Sequence, residues 1–295
     1  MILLSLSCAG SKSNKVIIPP FDGDRAFEYL EKQIAFGPRV PGSTNAENCR
    51  QYLIDFFTGL GAVVDTMMFT HFDKVTGKAI AMVNIVARFK GSGSDENQNY
   101  LLSAHYDSRP RAEYDSDTTK RMEPIPGAND GASGVAVLME LGNLLAKSRC
   151  RVNIDLALLD GEDWGRPGDL DEYFLGAKEM ISDIKGKYKF ALVIDMVGDK
   201  DLKIYKEELS LKYYPEISKL VWETAAGLGE KAFIDSVGDA IYDDHLSFMT
   251  IDLPSAVIID FDYPYWHTTL DTPDKCSVQS LQAVGQVIIT LLYRL

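Results

Sequence analysis

Apolar side chains recur at helical spacing in several segments of the chain. In the first segment Phe27, Leu30 and Ile34 fall on one stripe, and Gly37-Pro38 ends the pattern. The second segment follows a turn, begins with a Ser/Thr cap and ends at a pair of glycines. We therefore predict helices within residues 21–39, 41–61, 131–148, 172–184, 215–229 and 277–295.

Short apolar runs bounded by polar residues predict strands elsewhere. They lie within residues 62–69, 79–89, 100–108, 152–160, 190–198 and 254–260. Strands that alternate with helices favour an α/β fold with a mixed, twisted central sheet and helices on both faces. Because no linker divides the chain, we predict one domain over residues 21–295, preceded by a separate segment over residues 1–20.

Acidic and histidine side chains come after the predicted strands or at a helix start. They are His105, Asp160, Glu162, Asp163 and Asp195, with Asp130 opening a helix and His267 in the loop after the last strand. Ligands of open α/β sheets bind outside the carboxyl ends of the strands, so we expect these side chains to converge on one rim. The crowded acids of residues 160–163 repel one another unless they are well solvated or a positive group lies nearby.

The residue types at this rim favour zinc. Carboxylate oxygen and imidazole nitrogen suit zinc, which takes about four ligands and often leaves one position open. The cysteines at positions 49, 150 and 276 are widely spaced, so they predict core residues and not a thiolate metal site. The histidines are His71, His105, His245 and His267. A mixed Asp/His site is therefore predicted.

The net charge of −13 limits the partners of the chain. Polyanions such as nucleic acid are disfavoured, and cationic ligands are favoured by long-range attraction. The alternative is that the charge serves solubility alone. No apolar run approaches the roughly 20 residues that span a bilayer.

The N-terminal "MILLSLSCAGSKSNK" resembles the end of a bacterial lipoprotein signal, in which the cysteine, here Cys8, carries the lipid. It departs from that pattern because Ser5 stands where Leu is usual and no Lys or Arg precedes a short apolar run. We expect a periplasmic protein, attached to the membrane only through this lipid if at all, and monomeric. The alternative is an ordinary buried N-terminal segment.

Several motifs occur in the order found in the zinc aminopeptidase (M28-like) superfamily. They are "SAHYDS", "GANDGASGVAVLMELG", "LLDGED", "VIDMVG", "YDDHLSF" and "YWHTTLDTPD", preceded by "GPRVPGS", and they span roughly residues 38 to 275. The chain most resembles the glutaminyl-peptide cyclotransferase branch, of the type found in animals and some bacteria. The resemblance implies a zinc exopeptidase-like (phosphorylase/hydrolase-like) fold.

The resemblance also implies the roles of individual residues. Asp130 of "GAND", Asp163 of "LLDGED" and His267 of "YWH" would bind zinc, and Glu162 would act as general base and acid. The family usually has Glu at the position of Asp163. Aspartate is shorter by one methylene, so its loop must approach the metal more closely.

The number of zinc ions stays open at this stage. In an aminopeptidase His105 and Asp195 would bind a second zinc, whereas cyclotransferases typically hold one. In cyclotransferases the residue at the position of Asp195 joins a hydrogen-bond network instead. Its partners there are the catalytic Glu, here Glu162, and the first Asp of "DDH", here Asp243. The five ligand positions, His105, Asp130, Asp163, Asp195 and His267, therefore fit both activities, whereas Asp243 of "IYDDHLSF", which would face the substrate, matches the cyclotransferase form.

Three residues favour the cyclotransferase. Trp266 would wall the pocket around the substrate side chain, Ile241 would line it, and Trp164 stands a few residues before the place of a second pocket Trp in vertebrate enzymes. Against this, "HTTLDTPD" also resembles the peptidases. Trp266 could instead be a packing residue, and Asp243 a helix N-cap.

The predicted function is zinc-dependent cyclisation of the N-terminal glutamine of peptides to pyroglutamate, with release of ammonia. An aminopeptidase of the same superfamily is the alternative. A non-catalytic peptide-binding domain on this fold is a remote third hypothesis, since such a domain would be expected to lack Glu162.

Overall fold

The computed structural model describes residues 17–93, 95 and 97–295. The predicted lipidation site at Cys8 and most of the predicted segment 1–20 lie outside these residues. Across the part of the chain that is described, no helix combines the length and the apolar character needed to cross a membrane.

A six-stranded mixed sheet forms the centre of the fold. Its strands are β1 (Val63–Phe72), β2 (Ala79–Phe89), β3 (Asn99–His105), β4 (Asn153–Leu159), β5 (Ala191–Asp195) and, later in the chain, β8 (Ser255–Ile259). They follow the order β1-β2-β4-β3-β5-β8. β2 runs antiparallel to both β1 and β4, and the last four strands of this order are parallel to one another. β6 (Ile204–Lys206) and β7 (Phe233–Val237) form a separate two-stranded sheet.

Helices cover both faces of the large sheet. They are α1 (Gly23–Ile34), α2 (Thr44–Gly59), α3 (Ala132–Lys147), α4 (Leu175–Ile184), α5 (Glu208–Tyr213), α6 (Pro215–Leu228), α7 (Asp244–Met249) and α8 (Val278–Arg294). α1, α3 and α8 pack together on one face, with α2 and α6 contributing to the same core. α4 and α7 pack on the other face. The predicted fold class is confirmed.

The strand β4 shows why the sheet is buried on both sides. Leu156 and Leu158 contribute to one hydrophobic core, and Ala157 and Leu159 contribute to the other. A parallel strand between two helical layers needs such a continuous apolar run. The apolar run of β4 lasts from Leu156 to Leu159, so the acids that follow it, from Asp160 onwards, lie at the carboxyl edge of the sheet.

Candidate active site

His105 and Asp195 are the last residues of two neighbouring parallel strands, β3 and β5. The Nε2 atom of His105 lies 3.2 Å from Oδ1 of Asp195 and 3.2 Å from Oδ1 of Asp130. Burial lowers the pKa of His105, but the charge of Asp195 and contacts with neighbouring carboxylates raise the pKa well above its ordinary value.

The loop before α3 brings Asp130 to this pair. The Asp271 carboxylate accepts hydrogen bonds from the backbone N–H groups of Asn129, at 2.9 Å, and Asp130, at 3.2 Å. The next residue is Gly131, where a Cβ atom would lie 2.4 Å from Nε2 of His105. A larger residue at position 131 would collide with the site, so the close approach of this loop requires glycine.

Asp130, Asp163 and His267 form a compact group of possible metal ligands. One donor atom from each lies within 4.8 Å of the others, and all three residues are buried. Nε2 of His267 is 3.3 Å from Oδ1 of Asp163 and 3.6 Å from Oδ2 of Asp130. The backbone of His267 has a φ of +54°, and its imidazole stacks on the Tyr114 ring at a centroid distance of 5.7 Å.

The hydrogen bonding of this group fits a bound zinc ion. Among the described residues, buried Oδ2 of Asp130 and Oδ2 of Asp163 have no hydrogen-bond partner. Buried polar atoms without partners are costly, and a metal ion can satisfy carboxylate oxygens of this kind. His105, Asp130 and Asp195 form a second group within the same distance limit and share Asp130 with the first. The convergence expected from the sequence is therefore observed for five side chains, those of His105, Asp130, Asp163, Asp195 and His267.

Glu162 lies in the loop after β4 and lines the same cavity as the metal group. Burial raises the pKa of its carboxyl well above the ordinary value, and the negative charges of Asp163, Asp243 and Asp244 raise it further, although His105 opposes them. A carboxylate in such surroundings takes up a proton more readily than one in water. This is the property expected of a group that exchanges protons with a substrate.

Asp243 both caps a helix and lines the cavity. Its side chain accepts a hydrogen bond of 2.5 Å from the backbone N–H of Asp244 at the start of α7. Burial raises the pKa of Asp243 well above its ordinary value, and the charges of Asp195 and Asp244 add to the effect. The structural and functional interpretations of this residue are therefore compatible.

A cavity of about 230 Å³ opens over these carboxylates. Trp266 and Ile241 line it, as expected from the sequence. The Trp266 ring stacks on His267 with a centroid distance of 3.8 Å and also contacts Tyr114 and Phe261. The wall around the candidate metal group is thus largely aromatic on the side of the loop after β8.

The expected position of Trp164 needs correction. Trp164 is not among the residues that line the cavity. Its indole N–H donates a hydrogen bond of 3.2 Å to the Asp73 carboxylate, in the turn between β1 and β2. Its ring also contacts His71 of β1, so adjacency to Asp163 in sequence does not bring the Trp164 side chain to the cavity.

Three residues that were not predicted from the sequence hold this site together. Asp271 fixes the backbone before α3, and Asp107 accepts hydrogen bonds from the backbone N–H groups of Glu162 and Asp163, at 3.2 and 3.3 Å. The third, Arg109, contacts the Asp163 side chain. Each stands inside or directly beside a quoted motif that also contains a candidate ligand, "SAHYDS" or "YWHTTLDTPD". Their position in or beside these motifs is the feature of the sequence that could have identified them.

The fold and site define a zinc-peptidase-like enzyme, and the comparison with known families agrees. The model of peptidase family M28 matches residues 84–292. The chain belongs to this family. Membership implies an enzyme with zinc as its metal, but it leaves the reaction open.

The most similar solved structures include two kinds of enzyme from Bacteroides thetaiotaomicron. A glutaminyl cyclase bound to N-acetylhistamine is 33% identical, with a TM-score of 0.89 over 95% of this chain and 100% of that one. A leucine aminopeptidase precursor is 34% identical, with a TM-score of 0.90 over 95% of this chain and 99% of that one. Overall similarity therefore does not separate the two activities.

A curated relative from Leptosphaeria maculans is much longer than this chain. It is a "Probable zinc metalloprotease", 37% identical over 122 residues, which are 41% of this chain. The chain spans about 26% of the length of that relative. It supports zinc as the metal of the family.

Proposed function

We propose that this protein converts the N-terminal glutamine of peptides to pyroglutamate and releases ammonia. The observation that carries the proposal is the lining of the cavity. Ile241, Asp243 and Trp266 line the same small space as Glu162 and the candidate metal ligands. The similarity to a glutaminyl cyclase also supports the proposed cyclisation of N-terminal glutamine.

The reaction moves one proton between two nitrogens. The α-amine nitrogen attacks the γ-carboxamide carbon, a C–N bond closes the lactam ring, and the bond to the amide nitrogen breaks. Zinc held by Asp130, Asp163 and His267 would supply a Lewis acid for the γ-carbonyl oxygen. Glu162 accepts the proton that the α-amine loses and returns it to the departing nitrogen, so that ammonia leaves neutral.

The remaining residues hold the substrate in a reactive shape. An extended glutamine cannot react with itself, so the cavity must keep its side chain folded back towards its own amine. Trp266 and Ile241 provide the apolar walls of the cavity. Asp195 and Asp243 line it beside Glu162 and can accept hydrogen bonds from the substrate nitrogens.

An aminopeptidase is the second candidate. The group of His105, Asp130 and Asp195 supports it, since its donor atoms are close enough to hold another metal ion. In that case Glu162 would take a proton from an attacking water, and the peptide bond would be cleaved.

Matched tripeptides that begin with Gln, Asn or Leu distinguish the candidates. After incubation with the zinc-loaded protein, we expect only the Gln peptide to change, losing the mass of one ammonia without release of an amino acid. Asn should not react because its shorter chain would have to close a strained four-membered ring. Ammonia release and product mass are the measurements.

The variant Glu162→Gln is the control for this assay. It keeps the shape of the side chain but removes the proton acceptor, so turnover should fall by about 10²–10⁴-fold while zinc content stays unchanged. A shortened peptide with a free N-terminal amino acid would contradict cyclisation and support the aminopeptidase. Absence of both reactions in the zinc-loaded wild type would support a binding domain.

The predictions of a periplasmic location, a lipid on Cys8 and a monomeric state remain proposals. Mass spectrometry of the native N-terminus tests the lipid, and an unmodified Met1 on a fully soluble native protein would contradict it.

A further inference from the structure

Arg109 lies fully buried beside the candidate metal group. Its Nη1 atom donates a hydrogen bond of 2.5 Å to Oδ1 of Asp163 and lies 3.2 Å from the backbone carbonyl oxygen of the same residue. One nitrogen therefore contacts both the side chain and the main chain of Asp163. This arrangement restricts rotation of the carboxylate about its own backbone.

The guanidinium is itself held in place from its other edge. Nε and Nη2 of Arg109 donate to the two oxygens of Glu113, at 2.7 and 3.0 Å. Nη2 also donates to the Tyr173 hydroxyl at 2.9 Å. Because a guanidinium is planar and rigid, fixing one edge fixes the position of the nitrogen that contacts Asp163.

We propose that Arg109 is a positioning residue for the metal ion. It holds the short Asp163 side chain at the distance and rotation that metal binding requires. Oδ2 of Asp163 has no hydrogen-bond partner among the described residues, and Oδ1 also lies 3.3 Å from Nε2 of His267. Oδ1 thus lies between Arg109 and His267, and Oδ2 is available to a metal ion. The proposal rests on the metal group and is independent of which reaction the enzyme performs.

The chain offers a matched control in Arg111. This residue also donates to Glu113, at 3.0 Å, and it holds the same loop through the backbone oxygens of Trp164 and Gly165, at 2.9 and 2.5 Å. It shows no contact with the Asp163 side chain in the described residues. Removing Arg111 therefore tests loop anchoring without removing the contact to the proposed ligand.

The experiment compares Arg109→Met, Arg109→Lys and Arg111→Met with the wild type. Zinc affinity is measured by competition with a chromogenic chelator, and the melting temperature of each metal-free protein is recorded alongside. We expect Arg109→Met to weaken zinc binding by about 10–100-fold. Arg109→Lys should recover part of this loss, and Arg111→Met should bind zinc nearly as tightly as the wild type.

Substitution of zinc by cobalt gives a second measurement, which the loss of loop anchoring alone would not change. The visible absorption of Co²⁺ reports ligand geometry, so it should change in Arg109→Met and stay unchanged in Arg111→Met. Equal losses of zinc affinity in the two Met variants, or no loss in Arg109→Met, would overturn the proposal. A wild type that binds no zinc would overturn the metal assignment and this proposal together. If Arg109→Met does not fold, Arg109→Lys carries the test, with a weakened affinity expected.

Discussion

Asp160 directly follows β4, and its carboxylate contacts the framework of the sheet. It accepts a hydrogen bond of 2.9 Å from the backbone N–H of Val83 and lies 2.8 Å from the Tyr106 hydroxyl. Burial raises the pKa of Asp160 to about 7, and the charge of Asp107 adds to this, whereas its hydrogen bonds and Arg50 act in the opposite direction. The crowding of acids after β4 therefore includes one residue with a structural role.

The raised pKa predicts how Asp160 affects stability. Between pH about 4 and about 7 the native state keeps a proton on Asp160 that the unfolded state loses. The contribution of Asp160 to the free energy of unfolding is therefore complete below pH about 4 and is lost as the pH rises through about 7. Asp160→Asn keeps an acceptor for Val83 and removes the charge. We expect it to raise the free energy of unfolding at pH 8 by on the order of 1–3 kcal/mol, with little effect at pH 4.

Urea unfolding of the metal-free protein at both pH values measures this difference. The control is Asp183→Asn, at an exposed position in α4, which should leave the stability difference between pH 4 and pH 8 unchanged. A destabilised Asp160→Asn variant at pH 8 would show that the buried carboxylate is stabilising in its charged form.

The loop after β8 is the element that carries both His267 and the aromatic wall. Trp266→Ala should loosen the folded-back glutamine and lower kcat/KM by up to about 10²-fold, an effect of orientation. Zinc binding should persist because His267 is unchanged. Steady-state kinetics with a Gln peptide, together with the zinc content of the purified variant, provide the measurement.

Trp164→Ala is the matched control for that loop. It removes a side chain of the same size that does not line the cavity, so the kinetics should change much less. An equal loss of kcat/KM in both variants would contradict the assignment of Trp266 to the substrate wall.

The strands β2, β3, β4, β5 and β8 could be predicted from the sequence because their apolar runs are largely buried. β1 has no buried residue, and it extends to Phe72, beyond the predicted range 62–69. The observed bounds of β2 coincide with the predicted range 79–89. Other runs extend beyond their strands, since Tyr106 and Val197 continue into the core after the hydrogen-bonded ladder ends. The apolar pattern indicates which residues are buried. Where a strand ends depends instead on how far the neighbouring strand continues to form hydrogen bonds with it.

The small sheet and the short helices could not be predicted in the same way. β6 has three residues, and three of the five residues of β7 are exposed. α5 and α7 have six residues each, which is too short for helical periodicity to be recognised. Only the capping pattern at Asp243 signalled α7, and it was one of two interpretations of that residue.

The clustering of the candidate ligands could be predicted from the sequence, whereas the residues that hold them in place could not. Parallel strands must place their carboxyl ends together, so the convergence of His105 and Asp195 follows from topology. The contact of Arg109 with Asp163 depends on the path of a long loop, which no periodic pattern reports. Trp164 was misplaced for the same reason.

At the scale of the whole molecule, the net charge of −13 should change the rate at which charged substrates associate with the protein. A Gln peptide with Lys residues towards its C-terminus should be captured faster than one with Glu residues at low salt. Because salt screens this attraction, kcat/KM for the basic peptide should fall by about 3- to 10-fold between 0.01 M and 1 M salt. A neutral peptide is the control, and identical salt profiles for all three would limit the charge to solubility.

The three candidate zinc ligands come from three separate loops, and the last of them follows the final strand of the sheet. During synthesis the ribosome releases His267 only after almost all of the fold has emerged. A nascent chain therefore cannot assemble the group of Asp130, Asp163 and His267 before the loop after β8 has emerged. Catalytic activity is in this way coupled to completion of folding. A product truncated before His267 would contain the acidic residues of the site but would lack one of the candidate zinc ligands.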